Sequence, residues 1–103
     1  MAFVRVARLP DLPAGGLLLV QAGHTPILLS NVDGELFATS DTCCHLGGPL
    51  QEGTLTGSTI TCPWHFWTYD VRDGRCLINA GARLLTYPVR SVDGMIEVDP
   101  SPA

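Results

Sequence analysis

Two short loops, Cys43-Cys44-His45 and Cys62-Pro63-Trp64-His65, constrain this 103-residue chain more than any other feature. Together they read Cys-x-His, sixteen residues, then Cys-x-x-His. Each loop offers one anionic sulfur and one neutral imidazole nitrogen. Such ligands suit zinc or an iron–sulfur cluster, whereas hard cations take carboxylates and carbonyls. A fold that uses all four side chains has to present both loops to one centre.

The chain around the loops reads as β-structure. Positions 3–9 form an opening strand closed by Pro10, and a Pro- and Gly-punctuated connector follows to Gly16. Further strands are expected at 17–22, 27–30 and 35–39, with a turn over Gly23-His24-Thr25-Pro26. Asp-Gly pairs at 33–34, 73–74 and 93–94 are hairpin signals, since glycine accepts a positive φ without steric cost. Thr54-Leu55-Thr56 and Thr59-Ile60-Thr61 are expected to pair between the loops. Strands at 67–71 and 76–78, and a closing hairpin of 86–91 with 95–98, complete an all-β, antiparallel pattern. One helical turn over 80–85 is the only helical expectation.

Composition excludes several classes. Six Arg, no Lys and ten acids give a net charge of −4, which argues against nucleic acid. The longest early apolar run, Leu17-Leu18-Leu19-Val20, is far short of a membrane span or a signal core. The expectation is a soluble, cytoplasmic monomer whose thiols stay reduced. One domain, 1–103, is expected, with a cluster-binding subdomain at about 41–71.

Both loops and their surroundings resemble a Rieske-type ferredoxin. Cys43-Cys44-His45-Leu46-Gly47-Gly48-Pro49-Leu50 is similar to the family's first loop, and Cys62-Pro63-Trp64-His65-Phe66-Trp67-Thr68-Tyr69-Asp70 to its second. Positions 9–15 and 86–98 are similar to its flanks. The resemblance implies a sandwich-like base with an inserted cluster-binding subdomain. It also implies one [2Fe-2S] cluster per chain, with Cys43 and Cys62 on one iron and His45 and His65 on the other. An oxidised Fe₂S₂ core carries two positive charges, and two thiolates neutralise it. The electron therefore enters more readily than it enters a four-thiolate cluster.

The resemblance further implies a one-electron carrier that takes electrons from a flavin-dependent reductase and passes them to a terminal oxygenase. It implies no catalytic residues of the chain's own. By the same resemblance Tyr69 donates to a cysteine sulfur. Gly48 and Trp64 stand where respiratory relatives carry a disulfide, so none forms between them, and Trp67 replaces a hydroxyl residue. Phe66 stands where glycine is commoner, as in ferredoxins of toluene-type monooxygenases. Two other readings stay open at this point: a small Rieske subunit of a nitrite-reductase-like complex, and a zinc-stapled module, since Cys₂His₂ also suits tetrahedral zinc. Cys44 is expected to be a non-ligand, Cys76 a buried thiol and His24 a surface residue. Trp64, Phe66 and Trp67 are either an apolar docking tip or ordinary packing.

Overall fold

The computed structural model describes residues 2–43, 48–64 and 66–101. Among them the chain forms three antiparallel sheets. In chain order the strands are β1 (Val4–Arg8), β2 (Leu17–Ala22), β3 (Thr25–Val32), β4 (Glu35–Thr39), β5 (Thr54–Thr56), β6 (Thr59–Thr61), β7 (Thr68–Asp70), β8 (Thr86–Tyr87), β9 (Val89–Val92) and β10 (Met95–Val98). The sheets run β1-β10-β9, β2-β3-β4-β8 and β5-β6-β7.

The sheet containing β3 lies between two cores. Successive strand residues point to opposite faces. Ile27 and Leu29 accordingly join Leu12, Val20, Ala38, Ile96 and Val98, while Leu28 joins Leu50, Ile60, Tyr69 and both Cys43 and Cys62. Burial on both faces explains why residues 27–31 are all buried, without the polar alternation of a half-exposed strand. Each fully buried Leu or Ile here stabilises the fold by about 1.5–3 kcal/mol.

Turn chemistry sets the register. Asp33 and Gly34 have φ of 53° and 95°, and Asp93 and Gly94 have 52° and 78°, so both pairs make the two-residue turn whose twist matches the flanking strands. The third Asp-Gly pair differs. Gly74 has φ of 81° but closes a turn back onto Asp70, and its missing Cβ leaves room for the Leu84 carbonyl, which a side chain there would strike.

Four expectations are corrected. β3 begins at Thr25 rather than 27, because Gly23 and His24 alone make the turn between Ala22 and Thr25. Residues 76–78 form no strand; a single bridge joins Cys76 to Tyr69. Residues 80–85 form no helix; one turn closes where the Ala82 N–H donates to the Asn79 carbonyl, and the chain then leaves it as the Leu84 N–H reaches back to Gly74. The segment 86–91 is split at Pro88, so that β8 and β9 belong to different sheets.

Candidate metal centre

Both cysteine loops are closed in the same way. The Cys43 N–H donates to the Gly48 carbonyl at 3.0 Å, and the Cys62 N–H donates to the Trp67 carbonyl at 2.7 Å. Each cysteine thus opens a loop that returns five residues later. The first loop is held at its base by the Thr42–Pro49 bridge and by the Leu50 and Gln51 N–H groups, which donate to the Asp41 carbonyl and carboxylate. The second loop is the tip of the β6–β7 hairpin, whose register pairs Thr61 with Thr68.

The two loops meet at their sulfurs. Cys43 and Cys62 are buried in the same core, with Gly48 of the first loop close against the Cys62 sulfur. A Cβ on Gly48 would sit 2.8 Å from the Cys62 Sγ and 3.1 Å from the Trp64 ring, so glycine is what allows this approach. Positions 48 and 64 are therefore neighbours, as the resemblance implies, and Gly and Trp fill them.

The sulfurs have donors. The Tyr69 hydroxyl, in a fully buried side chain, lies 3.2 Å from the Cys43 Sγ, and the Trp64 N–H lies 3.4 Å from the Cys62 Sγ. Burial pushes the Cys62 thiol above the ordinary range; the Trp64 N–H opposes the rise and the neighbouring Cys43 adds to it. Burial and the neighbouring Cys43 thus favour a neutral Cys62 thiol until a cation replaces its proton, which is the usual behaviour of a thiolate metal site. A dry pair of adjacent thiols with hydrogen-bond donors aimed at them fits a cluster that needs two thiolates on one iron.

Cys43 and Cys62 are thus brought together, while His45 and His65 lie outside the described residues, as does Cys44. Cys76 is a buried thiol in the same core, and His24 is exposed, both as expected. Trp67 packs against this core, whereas Trp64 and Phe66 are exposed. Phe66 has φ of 60°, a region glycine enters freely, which gives a physical reason for the glycine commoner at this place. The Trp64 N–H beside the Cys62 sulfur was missed by the sequence reading, which named only Tyr69 as a side-chain donor. The clearance at Gly48 was also missed, although the Gly47-Gly48 pair beside a ligand loop was its signal.

A family model of the Rieske [2Fe-2S] domain matches residues 2–88. The ferredoxin component of biphenyl 2,3-dioxygenase from Rhodococcus jostii is 36% identical over 100 residues, covering 96% of this chain and 94% of its own length. The ferredoxin component of the p-cumate 2,3-dioxygenase system from Pseudomonas putida is 38% identical over 93 residues, covering 86% and 78%. Among solved structures, a chain from the complex of reduced oxygenase and oxidized ferredoxin in carbazole 1,9a-dioxygenase superposes with a TM-score of 0.90 at 28% identity, covering 98% of this chain and 95% of that one. The ferredoxin of carbazole 1,9a-dioxygenase from Nocardioides aromaticivorans also gives 0.90, at 26% identity, covering 98% and 100%.

Proposed function

Because this chain belongs to the Rieske [2Fe-2S] domain family, we propose that it is a one-electron carrier taking electrons from a flavin-dependent reductase and passing them to a terminal oxygenase. Its cofactor is a Rieske-type [2Fe-2S] cluster. Cys43 and Cys62 would hold one iron as thiolates, and His45 and His65 would hold the other as neutral imidazoles. When bound, the cluster supplies reversible one-electron chemistry at a potential above that of all-thiolate clusters.

The chain's own residues do the rest. The buried cysteines exclude water from the sulfurs, and Gly48 lets the loops close over them. The Tyr69 hydroxyl and the Trp64 N–H lie beside the Cys43 and Cys62 sulfurs, where they would donate to thiolate ligands of a bound cluster and favour its reduced state. No bond-making chemistry is asked of the chain. A cavity of about 380 Å³ on the base is lined by residues such as Leu9, Leu36 and Arg90, with none from the cysteine loops. The curated relatives above are named as ferredoxin components.

The same reading covers organisation and place. It takes 1–103 as one domain, with residues of about 41–71 carrying the cluster. The chain acts as a cytoplasmic monomer with protein partners only. No described helix is long and apolar enough to cross a membrane.

The single observation that carries the proposal is the buried Cys43–Cys62 pair at the meeting point of two identically closed loops. The test is absorption and low-temperature EPR of anaerobically purified chain, before and after dithionite, with metals counted. Two irons per chain and a Rieske-type signal on reduction are expected. One zinc and no iron, persisting after reconstitution with iron and sulfide, would overturn the proposal.

A further inference from the structure

Two hydroxyls on neighbouring strands are buried without a partner. The Ser30 and Thr39 side chains, on β3 and β4, are fully buried, and among the described residues neither Ser30 Oγ nor Thr39 Oγ1 has a hydrogen bond. Both face the core beneath the cysteine loops. Thr39 stands directly opposite Leu28, and Ser30 directly opposite Leu17 and Phe37, and these three residues belong to that core or pack against it. Thr86, opposite Thr39 on β8, brings a third hydroxyl-bearing side chain to the same face.

A hydroxyl left unbonded in a dry interior bears the full cost of its desolvation. Buried polar atoms are accordingly satisfied by protein groups or by ordered water. The geometry decides between these. Ser30 opposes Phe37, so Thr39 is its diagonal neighbour across the β3–β4 ladder. The Cβ atoms of such neighbours lie roughly 7 Å apart. One O–H···O bond of about 2.8 Å is too short to join their hydroxyls, whereas two such bonds through one small molecule span the gap.

The surroundings fix the chemistry of that molecule. The buried carboxylates, Asp70 and Asp99, are engaged by Arg72 and by the Ser101 N–H. Two neutral hydroxyls offer an ion no counter-charge, and burying an unpaired charge is prohibitive. The occupant is therefore neutral, able both to donate and to accept, and small enough to sit between two adjacent side chains of a sheet. Water meets all three conditions.

We propose that Ser30 and Thr39 hold one internal water molecule in the layer between the β3–β4 ladder and the core beneath the cysteine loops. Bonded to both hydroxyls, it ties β3 to β4 just before the chain runs on from Thr39 to Cys43. The site lies in the base sheet, and it is independent of the electron-carrier reading.

The test is a crystal structure of the cluster-loaded chain at a resolution that shows ordered water. Native-state hydrogen exchange is measured beside it on wild type, Ser30→Ala, Thr39→Val and the double variant. Density within about 3.2 Å of both hydroxyl oxygens is expected in wild type. Thr39→Val keeps the shape of the side chain, and each single substitution strips the water of one partner. Each is expected to raise the opening equilibrium constant of the β3–β4 amides about threefold or more. The double variant is expected to raise it no further than either single one, because the water is lost only once; side chains that share no ligand would give additive effects. The site is overturned by a wild-type map with no density there, whether the hydroxyls bond each other or main-chain carbonyls. Single variants protected as well as wild type, or effects that add in the double variant, overturn it equally. The wild-type map decides the matter even where a variant fails to fold.

Discussion

The core between the two larger sheets is made of Leu12, Ile27, Leu29, Ile96, Val98 and their neighbours, whereas the core beneath the cysteine loops contains three thiols beside Leu50, Ile60 and Tyr69. The ladders differ as well. β2 and β3 run for six and eight residues, while β5, β6 and β7 have three residues each. A long ladder over a hydrocarbon core stabilises itself by burial. Three-residue strands around paired thiols form a weak sheet, to which a bound cluster would add the free energy of its ligand bonds. The base is therefore a scaffold that burial alone supports, and the tip is a region whose order is linked to its cofactor.

The sharpest way to break this comparison is Cys62→Ser. Iron content is expected to fall from two per chain to near zero, and amide protection in 54–71 to collapse, while β2–β4 stay protected. Hydrogen exchange read by mass spectrometry separates the two regions. Undiminished protection at 54–71 in the iron-free variant would mean that the tip core is self-sufficient. The converse variant is Ile96→Ala, at a fully buried position of the base. It should cost about 2–5 kcal/mol in unfolding free energy and leave the EPR signal of the folded protein unaltered. A shifted signal would show that the two cores are mechanically coupled through β3.

The same contrast explains what was legible in the sequence. The base could be read from alternation and turns: Asp33-Gly34 and Asp93-Gly94 predict hairpins, and both form with positive φ at each residue. Asp73-Gly74 carries the same local signal and makes a different turn, because the Leu84 N–H, ten residues on, donates to the Gly74 carbonyl. No local pattern encodes that contact. The apolar run at 76–78 failed as a strand for the same reason, since its partner β7 offers only three residues and the segment is drawn off toward Ala82. At the site, residue type and spacing marked out the two cysteine loops, and the resemblance alone pointed to Tyr69 beside a cysteine sulfur. The clearance at Gly48 depends on how two loops pack, which spacing does not record.

A smaller effect is expected where β7 runs into the turn at Arg72. The Asp70 carboxylate accepts bonds from the Arg72 backbone N–H, Nε and Nη2 at 2.9, 3.1 and 2.8 Å. The Arg72 guanidinium holds the Asp70 carboxyl below the ordinary carboxylate range, against a smaller opposing effect of burial. The folded-state value is depressed, so this stabilisation is fully present above the unfolded carboxylate range and is lost as pH falls through the folded value. Because the Arg72 side chain is largely exposed, Asp70→Asn should cost only about 1–2 kcal/mol near neutral pH. Chemical denaturation at a series of pH values should show wild type and variant converging in acid. A gap that persists below about pH 2 would mean that packing rather than charge supplies the difference.

The finest test concerns Tyr69, which serves both packing and chemistry in the tip. Its ring is fully buried opposite Ile60, and its hydroxyl lies 3.2 Å from the Cys43 Sγ. With Cys43 as a thiolate the hydroxyl is the donor, and its bond strengthens as negative charge on sulfur grows with reduction. Tyr69→Phe keeps the ring and removes only that donor. If the bond favours the reduced state by about 0.5–1 kcal/mol, the potential should fall by roughly 20–40 mV for one electron. An EPR-monitored redox titration of both proteins measures this directly, with thermal unfolding run beside it. A lowered potential with little change in melting temperature would assign the hydroxyl to tuning. An unchanged potential with lost stability would make Tyr69 a core residue like those of the base, and the chemical distinction between the two cores would then rest on the cysteines alone.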